Sequence, residues 1–176
     1  MGEVTYQDYT FVPYIRREEI AKQVHRLAQE IKRDYDQKNV LFLCVLNGSF
    51  IFAADLFRAC DLHDAEISFV RFKSYEGMKS TGDVKEVMGL SEDISERNIL
   101  IVEDIIDSGV TAVQLRKELD KHNPASVKMV SLLFKPEALT VARRRSMWAL
   151  RFPASSSWAM DLTWMDWHAT CPTSMS

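Results

Sequence analysis

The sequence predicts an α/β fold: a mainly parallel central sheet flanked by helices. Two observations carry this. Largely apolar runs at Val40–Leu46, Asn98–Val102 and Ser126–Phe134 alternate with helical patterns, and such alternation closes into a parallel sheet through right-handed crossovers. The run Val40–Leu46 is also free of polar residues, as expected of a strand covered on both faces.

The elements follow in order. Residues 17–35 place Ile20, Val24, Leu27 and Ile31 at helical spacing with charges between them, which predicts an amphipathic surface helix. After the first buried strand, Asn47-Gly48-Ser49 turns the chain into a helix at Phe50–Cys60. Glu66–Lys73 reads as a second strand. Residues 74–86 are polar, hold Gly77 and Gly82 and lack a period, so they read as a mobile loop. The strand Asn98–Val102, a helix near Thr111–His122 and the strand Ser126–Phe134 complete the series. No internal repeat is present.

At 176 residues the chain has the length of one domain able to bury about two-thirds of its unfolded surface. Its hydrophobic fraction of 47% and charged fraction of 27% match an ordinary globular protein. A net charge of −3 provides no general attraction to nucleic acid or anionic lipid. Cys44, Cys60 and Cys171 are scattered and odd in number, which points to a reduced, cytoplasmic setting. No apolar stretch approaches membrane-spanning length, and the N-terminus has no signal-peptide pattern.

The chemistry concentrates at Asn98–Thr111, where an apolar run meets Glu103-Asp104 and then Asp107-Ser108-Gly109-Val110-Thr111 before a helix. In open α/β sheets, ligands bind beyond the carboxyl ends of the strands, where helix N-termini offer free amides. Small and hydroxylic residues at Ser108, Gly109 and Thr111 suit a phosphate cradle. No Gly-Lys-Ser/Thr follows, which disfavours a nucleotide triphosphatase loop. Carboxylates at a buried strand end need strong partners, such as ribose hydroxyls or a Mg²⁺-bound ligand. The plain alternative is a polar strand end with Asp107 capping the helix.

This block resembles the phosphoribosyl-diphosphate signature of the type I phosphoribosyltransferases, and within them the hypoxanthine-guanine phosphoribosyltransferases. Three further segments stand in family order. Leu46-Asn47-Gly48-Ser49 resembles the pyrophosphate loop, with a cis Leu46–Asn47 peptide in relatives. Arg71-Phe72-Lys73-Ser74-Tyr75, with Lys79-Ser80-Thr81-Gly82-Asp83, resembles the flexible lid. Lys135 matches the lysine that recognises the purine 6-oxo group. Taken singly, these are a turn, a solvated loop and a snorkelling lysine; the four in order span about residues 40–137.

The resemblance implies a type I phosphoribosyltransferase fold with a small hood. It also implies transfer of phosphoribose from phosphoribosyl diphosphate to a 6-oxopurine with Mg²⁺, in a homodimer or homotetramer. Glu103 and Asp104 would hold the ribose hydroxyls and the metal. Asp107 would exchange a proton with purine N7, and Asp107–Thr111, Val110 included, would bind the 5′-phosphate. Leu46, Asn47 and Gly48, with Arg71 or Lys73, would neutralise the pyrophosphate while Ser74 and Tyr75 close over the reacting centre. Rival readings are a regulatory or inactive protein that binds phosphoribosyl diphosphate, and a transferase for xanthine or a pyrimidine.

The resemblance covers residues 1–140, with a core at about 38–137, and stops near Thr140. All four tryptophans fall beyond it, no Lys or Glu follows Glu137, and the last glycine is Gly109. Relatives continue with a purine-stacking aromatic, a Val-Val-Gly-Tyr-Gly-Leu-Asp-like stretch and an Arg-Asn/Asp-Leu-Pro segment. Reading Trp158-Ala159-Met160-Asp161 from the third base of its tryptophan codon restores Gly, then Tyr, His, Asn or Asp, then Gly. The same frame accommodates family-like segments at Arg145–Pro153 and from Ser155 to Ser176. Residues 141–176 therefore read as an aberrant tail produced by a frameshift, real or a sequencing error, between about Thr140 and Arg145. The alternatives are a divergent or disordered tail and an aromatic partner-binding segment. The sheet edge and hood are expected to be partly unbuilt in the chain as written.

Overall fold

The computed structural model describes residues 4–6, 9–72, 87–90, 92–106, 109–134, 146–151 and 169–172. A six-stranded sheet is built from β3 (Val40–Leu46), β4 (Glu66–Phe72), β5 (Val87–Met88), β6 (Asn98–Ile106), β7 (Ser126–Phe134) and β8 (Ser146–Arg151), in the order β5-β4-β3-β6-β7-β8. All pairings are parallel except β4–β5. The predicted mainly parallel sheet is what forms.

Helices cover both faces of this sheet. On β3, Val40, Phe42 and Cys44 face a layer made by α1 (Arg17–Tyr35) and α2 (Phe50–Cys60). Leu41, Leu43 and Val45 face the opposite layer, which includes Leu115 and Leu119 of α3 (Val110–Asp120). That alternation is why β3 reads as an unbroken apolar run: both of its faces are core. On α1, Ile20, Val24, Leu27 and Ile31 are buried as their spacing predicts, with Ala28 and Tyr35 on the same stripe. Each such fully buried aliphatic side chain contributes about 1.5–3 kcal/mol of transfer free energy.

A second, three-stranded antiparallel sheet joins β1 (Val4–Tyr6), β2 (Tyr9–Ile15) and β9 (Ala169–Pro172) in the order β1-β2-β9. This small sheet, made from both ends of the chain, is the hood that the resemblance implies.

The structure differs from the sequence reading at several edges. β6 runs to Ile106, four residues past the expected end, so Glu103 and Asp104 lie within the strand rather than closing it. Backbone pairing with β7 carries the strand on through the polar residues. β4 ends at Phe72, and the expected loop 74–86 lies outside the described residues. The expectation of an unbuilt sheet edge is not met. β8 pairs with β7 from Met129 to Phe134, and β9 pairs with β2. An open β7 edge would leave a row of backbone groups unpaired, and Ser146–Arg151 is apolar enough to cover it.

Candidate active site

The strand order places the site. The chain steps from β3 outward to β4, then returns to the other side of β3 at β6 and continues outward to β7. The order reverses between β3 and β6, and ligand crevices of open α/β sheets lie beyond the carboxyl ends of the strands at such a switch. The Asn47-Gly48-Ser49 turn follows β3 there, beside the Glu103-Asp104 end of β6.

The two segments touch. A Cβ placed on Gly48 would stand 2.7 Å from Asp104 Cγ and closer still to Oδ2, so glycine lets the turn lie against the carboxylate. The Leu46–Asn47 peptide is cis, as in the resembling family. Ser49 is fully buried, and its hydroxyl donates to the Val45 carbonyl at 2.6 Å, tying the turn back to β3. α2 starts at the next residue and directs its N-terminal end into this region. Arg71, exposed on β4, is in register with Leu46, which sets it one strand away from the cis peptide.

Glu103 and Asp104 are consecutive strand residues and leave opposite faces of the sheet. Glu103 is only 7% exposed. Burial, with the neighbouring Asp104 carboxylate adding to it, pushes the Glu103 carboxyl from its usual 4.5 to about 8. Burial also raises Asp104, against two backbone N–H groups that favour its charged form. Neither acid is comfortable as a bare carboxylate, and a cation or hydroxyl-bearing ligand relieves both.

This sets a pH signature for stability. Above pH 4.5 the Glu103 carboxyl ionises in the unfolded chain while the folded protein keeps its proton until about pH 8. The folded state then binds more protons, so stability falls as pH rises through that window and levels off on either side. The Glu103→Gln variant should lose this slope and gain on the order of a few kcal/mol relative to wild type at its upper end. Urea unfolding midpoints between pH 5 and 8 measure it; parallel slopes for the two proteins would contradict the assignment.

Gly109 adopts φ 77° and is the N-cap of α3, where a glycine offers no side chain to cap the first turn. Leading amides of this kind suit an anion. Thr111 stands on that first turn, partly buried. Val110 is the first residue of α3. Asp107 and Ser108 lie outside the described residues, as do Lys73, Ser74, Tyr75 and Lys135. In sequence, Asp107-Ser108 stand between β6 and Gly109, Lys73 follows Phe72, and Lys135 follows Phe134.

Cys44 and Cys60 are free thiols, and burial pushes both up to about 12, which leaves them inert as nucleophiles. Among the described residues no group of three or more His, Cys, Asp or Glu side chains could hold a metal. The sequence reading passed over Ser131. A single serine inside the apolar run Met129–Phe134 was the available signal, since a buried hydroxyl needs a stated partner.

Comparison with known proteins agrees with this geometry. A phosphoribosyl transferase domain model matches residues 14–149. A hypoxanthine phosphoribosyltransferase of Buchnera aphidicola is 43% identical over 136 residues, 76% of each chain. A hypoxanthine-guanine phosphoribosyltransferase of Lactococcus lactis is 42% identical over 128 residues, 72% of this chain and 69% of its own. Among solved structures, a hypoxanthine-guanine phosphoribosyltransferase from Bacillus anthracis superposes with a TM-score of 0.72 at 35% identity, covering 81% of this chain and 82% of its own. A hypoxanthine phosphoribosyl transferase of Trypanosoma cruzi gives 0.80 at 26% identity, with 97% and 95% covered. With its fold, its switch-point acids and these relatives in agreement, this chain belongs to the phosphoribosyl transferase family.

Proposed function

We propose that this chain is a purine salvage enzyme that moves the phosphoribosyl group of phosphoribosyl diphosphate onto hypoxanthine or guanine, yielding IMP or GMP and pyrophosphate. The observation that carries this is the packing of Gly48 against Asp104 at the switch point, which brings a pyrophosphate-type turn against one acid of the ribose-type pair. The names of the relatives supply the acceptor base.

The reaction forms a bond from purine N9 to the ribose anomeric carbon as the bond to pyrophosphate breaks, its electron pair leaving with the pyrophosphate. Asp107 takes the proton shared with purine N7. Glu103 and Asp104 hold the ribose hydroxyls through the oxocarbenium-like transition state. The amides from Gly109 into α3, with Ser108, Val110 and Thr111, bind the 5′-phosphate. Leu46, Asn47 and Gly48 form the pyrophosphate turn, and Arg71, in register with Leu46, or Lys73 offsets the charge that the leaving group gathers. Ser74 and Tyr75 close over the centre and exclude water, and Lys135 donates to the purine 6-oxo group.

Two buried, uncomfortable carboxyls fit Mg²⁺, which prefers a few carboxylates together with waters and substrate phosphates over an all-protein cage. Glu103 and Asp104 would hold it. When bound, Mg²⁺ supplies charge neutralisation at the diphosphate.

The protein acts in the cytoplasm, consistent with its buried reduced thiols, and as a homo-oligomer. Phe50, 51% exposed, lies near Phe69 with ring centroids 6.4 Å apart; paired exposed aromatics of this kind mark an interface. Sedimentation equilibrium reads the assembly. No helix among the described residues is long and apolar enough to cross a membrane. Nucleotide formation from hypoxanthine, guanine, xanthine and uracil, with Mg²⁺ and phosphoribosyl diphosphate, tests the activity. The 6-oxopurines should react and uracil should not; donor binding without turnover on any base would overturn the enzyme assignment.

A further inference from the structure

We propose that Ser131 is a positioning residue: its hydroxyl holds a coordinated slip in the side-chain alternation of β6 and β7 that sets which face each strand presents beyond the acid pair. The slip is visible in the packing. Along β6, Leu100 and Val102 pack into the α1–α2 layer, while Ile99 and Ile101 pack into the α3 layer. Strict alternation would put Ile105 with α3 and Ile106 with α1 and α2. The opposite occurs: Ile105 packs against the α1–α2 layer and Ile106 is in the α3 layer. Asp104, beside Gly48, and Ile105 therefore share a face.

β7 makes the same departure at the same level. Val127 and Met129 are in the α3 layer and Val130 is in the other, but Leu132 and Leu133 both pack with α1 and α2, and Phe134 returns to α3. The ladder registers agree. β6–β7 pairing runs unbroken to Glu103↔Ser131 and resumes at Ile105↔Leu133. β7–β8 pairing likewise passes from Ser131↔Trp148 to Leu133↔Leu150. The rung at position 132 is missing on both sides while the register stays the same, so the strands break their alternation together rather than sliding past one another.

A skipped ladder position leaves backbone carbonyls in need of a donor inside the core. Ser131 stands there, fully buried. Its hydroxyl donates to the Leu133 carbonyl at 2.7 Å, and the Asp104 carbonyl lies 3.4 Å from the same oxygen. One proton bonds Leu133 and leans toward Asp104, so a single side chain spans the slip in both strands. The functional consequence is one of parity. Because side chains alternate, a single break in the alternation turns every later residue of the strand to the other face. Without it, Ile105 and Ile106 on β6, and Leu133 and Phe134 on β7, would each exchange layers.

The functional half of this inference rests on the transferase reading, whereas the structural half does not, and the test separates them. Ser131→Ala removes the donor, and Ser131→Cys keeps the shape with a weak donor and guards against misfolding. Amide exchange at residues 104–106 and 132–134 should quicken about tenfold in Ser131→Ala, the size expected for one lost hydrogen bond. Core amides elsewhere in the sheet, such as those of Leu41 and Leu43 on β3, should be unchanged. Ser131→Cys should fall between wild type and Ser131→Ala.

In the assay above, Ser131→Ala should raise KM for phosphoribosyl diphosphate and lower kcat at a temperature where both proteins are fully folded, with partial rescue in Ser131→Cys. A role confined to stability would lower the melting temperature and leave KM and kcat unmoved, and that result would overturn the positioning role. Unchanged exchange at 104–106 would overturn the slip-holding role. A wild type that neither binds the donor nor turns over would remove the transferase reading, and the exchange data would still decide the slip.

Discussion

Replacing residues 141–176 with the polypeptide read in the shifted frame should raise kcat/KM for hypoxanthine or guanine by about 10²-fold or more. The restored segments contain the aromatic that stacks on the purine and the acid that follows it in the resembling family. Base–aromatic stacking contributes about 1–3 kcal/mol, a directed hydrogen bond about 1 kcal/mol, and each 1.4 kcal/mol is tenfold. Binding of phosphoribosyl diphosphate should change little, because its proposed contacts lie in residues 46–111. β8 at Ser146–Arg151 and β9 at Ala169–Pro172 stand in the two stretches whose shifted reading is family-like. The family match also ends at residue 149, inside β8. Steady-state kinetics of the two proteins decide the matter. Equal values would show that the tail as written serves the base, and an unshifted coding sequence with a matching intact mass would sink the sequencing-error version.

A comparably large effect is expected from Gly48→Ala. Its methyl would overlap the Asp104 carboxylate and drive it out of the crevice. The displaced group is the end of a side chain, so the fold should tolerate the change with a small loss in melting temperature. Function should not, since misplacing a binding group by about 1 Å can cost about 10²-fold. Calorimetric titration with phosphoribosyl diphosphate and Mg²⁺ reads the loss. A double-mutant cycle tests the route. If the methyl acts through Asp104, adding Gly48→Ala to an Asp104→Ala protein should do little more, whereas additive losses would place the damage elsewhere.

Much of the architecture was legible from local pattern alone. Val40–Leu46 announced a two-face buried strand because nothing polar interrupts it, and α1 announced its stripe through Ile20, Val24, Leu27 and Ile31. Strands held together by distant partners were not legible. β1, β2 and β9 form one sheet from opposite ends of the chain, and β5 is two residues long. β8 stands where the family match gives out, at residue 149, yet it takes the edge beside β7 because that edge needs a partner.

Residue type and spacing were enough for the fold class, the family and the chemical inventory: acids at Glu103, Asp104 and Asp107, a glycine turn at Gly48, and a phosphate-type loop into α3. All of these are written along one stretch of chain. It took the folded protein to reveal that Gly48 touches Asp104, that Glu103 is buried enough to rise to about 8, and that Ser131 bridges a slip shared by two strands. Burial, electrostatic coupling and ladder register arise between segments distant in sequence, so they exist only once the strands have paired.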